Sequence, residues 1–304
     1  MSGILQAVYQ NLRAFTSAPV NTTIPTISGT VSIGQVLTSS TGTWTGNPTP
    51  TYAYQWQKGV SNISGATSST YTVLIGDVGS TLRCVVTATN SVGSASANSA
   101  NTIAVPTPTL GSALSGGYYG GQISTSANGV ATHYLIVGPI STAESTLQAA
   151  SGNFGESGTQ SVIDGPANTT AAVGAGFSHP AASFCENLTT GGYSDWYMPA
   201  KNELDVLYYG LKPDTTSNNT SAGVNANSVP KRTSTYTSGT PAQTSAAAFQ
   251  TGGAQAFTAD KYWTSTTNTY STGLQNWQYF SDGGPGNSGK LYSFRVRAIR
   301  RIAV

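Results

Sequence analysis

Across 304 residues only 8% are charged, 13 Lys and Arg facing 11 Asp and Glu for a formal net charge of +2, which excludes a chain that tracks nucleic-acid phosphates. Aromatic residues reach 10% and hydrophobic ones 38%, so a disordered chain is excluded as well. The length suits two ordinary domains, and 35 glycines amid many Ser, Thr and Asn point to β structure with polar loops.

Residues 1–20 read as an N-terminal arm. Ile4, Leu5, Val8, Leu12 and Phe15 recur at helical spacing on a segment too short to be stable by itself. The segment lacks the basic start and long apolar core of a signal peptide, and nothing elsewhere is apolar for long enough to span a bilayer. The arm is expected to tether the chain to other proteins of a larger assembly, without membrane insertion; a frayed terminus or a strand of the first domain is the alternative reading.

From residue 21 to 105, short β-rich runs alternate with Gly, Pro, Asn and Ser turns. Strand candidates are Thr30–Ile33, Gln35–Thr38, Tyr52–Gln57, Thr70–Val73 and Thr81–Thr89. Tyr52, Tyr54 and Trp56 share a face by the two-residue period of a strand, with Trp56 the expected core residue. The segments around Pro25, Gly42-Thr43-Trp44, Tyr54-Gln55-Trp56 and Asp77–Val86 resemble the immunoglobulin-like modules of bacteria and phages, which implies an all-β immunoglobulin-like sandwich acting as a spacer. Cys84 falls where the second cysteine of such a domain sits, but the early strand offers Val36 or Leu37 in place of a partner. With Cys185 the only other cysteine, both are expected as buried free thiols, and an oxidising compartment is not required.

Residues 106–116, with Pro106 and Pro108 followed by Gly111, read as a semi-stiff linker. Beyond it, Gly117–Ile123 and His133–Val137 suit strands. Pro180 suits a first helical position ahead of Ala181, Phe184, Cys185 and Leu188, with Gly191-Gly192 as the stop. A second helix follows Pro199, where Leu204, Leu207, Tyr208 and Leu211 repeat the helical spacing before Pro213. Two helices among strands make residues 117–304 an α+β domain.

The segments Ala181–Cys185, Gly192–Leu204, Pro241–Ser245, Tyr262–Thr266 and Tyr292–Arg301 give residues 117–304 a resemblance to the phage and bacterial domain family related to the C-terminal domain of the Legionella collagen-like adhesin. The resemblance implies a C-type-lectin-like fold, and it implies that the stretch between Trp263 and Tyr292 faces a ligand. The residues agree with that implication. Tyr270, Gln275, Asn276, Trp277, Tyr279, Ser281, Asp282, Asn287 and Tyr292 mix rigid amphipathic rings with adaptable hydrogen-bonding groups, which suits stacking on sugar rings and reading their hydroxyls. Trp277 and Tyr279, two apart on one strand face, equally suit a core.

Catalysis is not expected. His133 and His179 fall in a strand and at a helix start, outside any metal-binding or nucleophile motif, and Glu203 and Asp205 point to different sides of one helix. Glu203 is expected to anchor the loop after Pro199. No cofactor is expected, and the Asp282–Asn287 loop has too few converging carboxylates for calcium. Arg295 and Arg297 are read as a solvated or ion-paired strand edge. Together these readings describe a homo-oligomeric bacteriophage protein on the virion surface, a tail fibre or similar, that binds a host-surface glycan or protein. A capsid or tail decoration protein is the alternative. A bacterial cell-envelope adhesin is disfavoured by the missing export signal.

Overall fold

The computed structural model describes residues 15–304, which divide into two compact units, the first ending at Thr107 and the second running from Pro108 to Val304. Strand predominates and the helices are short. Of the expected tether, Ile4, Leu5, Val8 and Leu12 lie outside the described residues. Phe15 is 95% exposed, and its carbonyl accepts from Asn47 Nδ2 at 2.5 Å.

The first unit holds β1 (Ser17–Thr23), β2 (Ile27–Ser28), β3 (Val36–Ser39), β4 (Thr43–Asn47), β5 (Thr51–Lys58), β6 (Ser61–Asn62), β7 (Thr70–Thr72), β8 (Leu82–Asn90) and β9 (Gly93–Asn98). They pair as β1-β4, β2-β3-β7 and β6-β5-β8-β9. Leu37 and Tyr71 from the three-stranded sheet meet Trp56, Leu82, Cys84 and Val86 from the four-stranded one in a single core. Trp56 is fully buried opposite Cys84, stacks on Tyr71 at 5.6 Å and donates its indole N–H to the Ser68 carbonyl at 3.0 Å. The Tyr71 hydroxyl donates to buried Asp77 at 2.7 Å, and Asp77 also accepts from the Leu74 amide at 2.9 Å. Buried polar groups in this core are thus bonded, as they must be to avoid an uncompensated desolvation cost.

Two expectations for this unit need correction. Thr30–Ile33 is a turn, closed by Ser32 and Gln35 amides bonding to the Thr30 and Ser32 carbonyls and continued by Gly34 at φ 80°. Tyr52 does not share the burial of Trp56. It lies where β5 runs past the core, 37% exposed and packed on Trp44 at 6.3 Å.

In the second unit, β10 (Ala113–Leu114), β11 (Gly117–Ile123), β12 (His133–Val137) and the closing strand β18 (Ile299–Ala303) form one sheet in the order β10-β11-β12-β18. A second sheet has the order β13-β17-β14-β15-β16, from β13 (Glu144–Gln148), β14 (Lys261–Thr267), β15 (Leu274–Tyr279), β16 (Pro285–Gly289) and β17 (Ser293–Arg297). The Lys201–Leu211 helix lays Leu204, Leu207, Tyr208 and Leu211 on a core shared with Ile123, Leu135, Val137, Tyr262 and Phe280, as its spacing requires. Its first turn is closed by Glu203, whose Oε2 accepts from the Ala200 amide at 2.8 Å.

The Pro180–Glu186 helix ends before Leu188, so Gly191 and Gly192 do not stop it. They form the positive-φ turn that pairs Thr190 with Tyr193. Two further helices, Ile140–Ala143 and Gly165–Val173, are not expected from the sequence; the longer is a run rich in Ala, Thr and Asn with no apolar stripe, and Asp164 caps it by accepting from the Ala167 amide at 3.3 Å. Arg295 and Arg297 are ion-paired, one of the two alternatives read for them, but β17 lies between β13 and β14 and is no edge, so for Arg297 the solvated alternative falls. Arg297 is fully buried, held by the Gly138 carbonyl at 2.9 Å and Glu144 at 3.3 Å, while Arg295 is half-buried and bonds Glu144 at 2.8 Å. Both cysteines are buried and free.

Candidate ligand-binding face

The second sheet has one face turned to the core through Tyr262, whose ring meets Phe257 of the preceding loop at 5.2 Å. Alternation along β14 puts Lys261 and Trp263 on the opposite face, and the antiparallel register places Tyr279 beside Lys261 and Trp277 beside Trp263. Phe294 of β17 completes a cluster there. Its ring lies 4.4 Å from Trp263, 6.4 Å edge-on from Trp277 and 6.0 Å stacked from Tyr292. Trp263 forms the buried floor, Trp277 and Phe294 are half-buried, and Tyr292 is 63% exposed.

Lys261 completes the arrangement, its ammonium 4.5 Å from the Trp277 ring centre and 5.0 Å from that of Phe294. Contacts of this kind are worth roughly 0.5–2 kcal/mol and hold a cation at the edge of an apolar surface. The orientation of Trp277 is fixed on its other side as well. Its indole N–H donates to Ser288 Oγ at 3.0 Å, and the ring lies across Gly286, its partner in the register. This face therefore offers pre-ordered ring faces beside a positive charge and a hydroxyl, which suits stacking on an apolar ring face while bonding polar groups at its rim.

The sequence-derived residues divide among several positions. Trp277, Tyr279 and Tyr292 come together on this face. Tyr270 is 98% exposed at the tip of the Asn268–Gly273 loop, which Asn268 Oδ1 shapes by accepting from the Tyr270 and Ser271 amides at 2.9 and 3.0 Å. Asn276 and Asn287 pair with each other, and alternation sets them on the other side of their strands from Trp277. Ser281 is half-buried in the turn after β15, and Asp282 shapes that turn by accepting from the Gly284 amide at 2.8 Å. Gln275 is withdrawn from the surface set. It is 5% exposed and donates to the Thr264 carbonyl at 2.5 Å, and it lies with Glu156, His179, Met198 and Ser265 around a small internal cavity.

Lys261 and Phe294 were missed. The signal was present in the Lys261-x-Trp263 and Tyr292-x-Phe294 alternations, but only the strand order reveals that they share a face with Trp277. Elsewhere, an open cavity of about 540 Å³ is lined by His133, Pro166, Glu186, Asp195, Tyr197 and Arg301 among others. Its charges are engaged with neighbours, Arg301 with Asp164 at 2.8 Å, Asp195 with Arg300 at 2.6 Å and Glu186 with Thr170 at 3.0 Å. Among the described residues no group of three or more His, Cys, Asp or Glu side chains is placed to hold a metal ion, and no helix is long and apolar enough to cross a membrane.

The fold and this face define a β-rich protein of two units whose second unit carries an ordered aromatic surface. The sequence model of the Lcl C-terminal domain family matches residues 148–300, half of the chain, and the chain belongs to that family. The matched stretch takes in β14 to β17 and most of the residues described above. No curated protein matches the chain.

Proposed function

We propose that this chain is a bacteriophage structural protein of the virion surface, a tail fibre or similar fibre, that binds a host-surface glycan or protein through its second unit. The observation that carries this reading is the cluster of Trp277, Phe294 and Tyr292 beneath the Lys261 ammonium. Saccharides and exposed peptide side chains both present apolar faces beside hydroxyls or acids, and rigid rings contact them at low entropic cost. Binding is non-covalent and needs no cofactor in this reading.

On this reading the first unit is an immunoglobulin-like spacer, supported by its two sheets packed around Trp56 and Tyr71, and the second is a C-type-lectin-like tip. The arm from Ile4 to Phe15 is assigned the contact with other virion proteins, and the fibre is assigned more than one copy of the chain.

The test is binding of the fluorescently labelled full chain to a panel of bacterial strains and to an array of bacterial surface polysaccharides. Saturable binding to a subset of strains or glycans is expected. Uniform, non-saturating signal across the panel would contradict host recognition and leave a coat or decoration role.

A further inference from the structure

Against the second sheet, Glu156, His179 and Lys290 form a charged cluster whose side chains are all at least 97% buried. The Lys290 ammonium bonds Glu156 Oε1, and it also donates to the Phe154 carbonyl at 2.8 Å. Glu156 is the carboxylate of this ion pair, so both of its oxygens are acceptors. Its second oxygen, Oε2, has no hydrogen-bond partner.

His179 presents a matching problem. The Ala149 backbone favours a proton on its ring, whereas Nε2 has no hydrogen-bond partner and approaches Glu156 Oε1 at 3.4 Å without the alignment of a bond. Burial first, and the Lys290 charge as well, hold the ring below the usual histidine range, although Glu156 pulls the other way. Neutral His179 with its proton on Nδ1 leaves Nε2 as a bare acceptor. Two buried acceptors then face one another, and each left unbonded costs about 1–3 kcal/mol.

Between them is a cavity of about 10 Å³, bounded by Ser265, Gln275, Met198 and Ala172 as well as Glu156 and His179. That is the space one water needs. Ser265 Oγ accepts from Asn168 Nδ2 at 3.3 Å, which leaves its own proton available to donate.

We infer that this cavity is a binding site for a single structural water, which donates one hydrogen to Glu156 Oε2 and the other to His179 Nε2 and accepts the Ser265 hydroxyl proton. Three bonds are the usual number for a buried water. The water links the Pro180 helix, through its capping residue His179, to Ser265 on β14 and to the Glu156–Lys290 pair. Lys290 in turn directly follows β16, which carries the Trp277-facing glycine.

The test uses the full chain labelled with ¹⁵N-histidine. Long-range ¹H–¹⁵N correlations report the tautomer of His179, and rotating-frame cross-relaxation from water reports a long-lived water beside its ring. The expected result at neutral pH is the Nδ1–H tautomer with a water cross-peak to the His179 ring, lost in a folded Glu156→Gln variant, whose amide donates to Nε2 directly. An Nε2–H tautomer or an imidazolium ring would overturn the inference, since the histidine would then serve Glu156 without a bridge. The Nδ1–H tautomer with no water cross-peak would overturn it too, by showing a dry cavity.

Discussion

Trp277 lies directly opposite Gly286 across β15 and β16, and its indole fills the space that a side chain at 286 would occupy. Glycine at this position is therefore a requirement of close approach between backbone and ring, on a strand whose alternation alone would admit any small residue. The consequence reaches Lys261, whose ammonium rests on the ring that Gly286 admits.

Replacing Gly286 with Val should expel the indole from its seat. The expected outcome is a loss of about 1–3 kcal/mol in stability, the usual cost of overpacking, together with a red-shifted tryptophan emission and weaker ligand binding. Equilibrium unfolding followed by fluorescence checks the first two. Unchanged emission would show that the ring has another place to go.

Arg300 joins the closing strand to the loop before the Lys201 helix by a two-pronged bond to Asp195, Nε to Oδ1 at 2.6 Å and Nη2 to Oδ2 at 2.8 Å, with Tyr193 3.7 Å beneath the guanidinium. Lysine keeps the charge but neither the fork nor the stacking plane. Because Asp195 is half exposed, Arg300→Lys is expected to cost about 1–2 kcal/mol, with most of the loss from the lost fork and ring contact and little from screened charge. Denaturant midpoints at low and high salt separate the two contributions, and the loss should persist in high salt.

Glu203 gives the second unit a pH signature. Complete burial pushes its carboxyl up to about 7 from an ordinary 4.5, against the opposing pull of Arg301 and the bonds from the Ala200 amide and the Tyr197 hydroxyl. The folded chain thus holds this proton more tightly than the unfolded chain. Its stabilising effect is full below about pH 4.5 and is lost as pH rises through about 7, roughly 3 kcal/mol in all. Glu203→Gln should abolish that slope, so the variant should gain on the parent by an amount of this order between those pH values. Parallel unfolding curves across the range, with a constant difference, would contradict the assignment.

In the first unit, Trp56 is the side chain on which both sheets meet. Trp56→Ala should cost about 3–5 kcal/mol by the cavity it leaves and the Ser68 carbonyl it orphans. Trp56→Phe should cost less while still losing the hydrogen bond. Circular dichroism melts of both variants beside the parent check the order.

How much of this was legible follows from where the information lies. The Lys201–Leu211 helix is written locally, in a proline before it, an apolar residue every third or fourth place and an acid three residues in from the cap. The Gly165–Val173 helix is not, because its face packs on Met198 and β14 through small residues and hydroxyls such as Thr169, whose Oγ1 accepts from the Met198 amide at 3.1 Å. Trp277, Tyr279 and Tyr292 are recognisable as candidates from residue type alone. Their grouping with Lys261 and Phe294 depends on β17 lying beside β14, with Tyr262 paired to Arg295, a contact between distant strands that no local pattern encodes. Gln275 reads as a surface polar residue for the same reason, since only the fold brings Glu156, His179 and Met198 around it.

The Trp277–Phe294–Tyr292 face is the proposed ligand-binding surface. The most direct measurement compares the affinity of the full chain, Tyr292→Ala and Asn287→Ala for a strain or polysaccharide that the parent binds. Both residues are exposed, so both variants should fold, but they lie on different sides of the sheet. At least a tenfold loss is expected for Tyr292→Ala, about 1.4 kcal/mol, and little change for Asn287→Ala. Equal affinities for Tyr292→Ala and the parent, or a loss confined to Asn287→Ala, would contradict it.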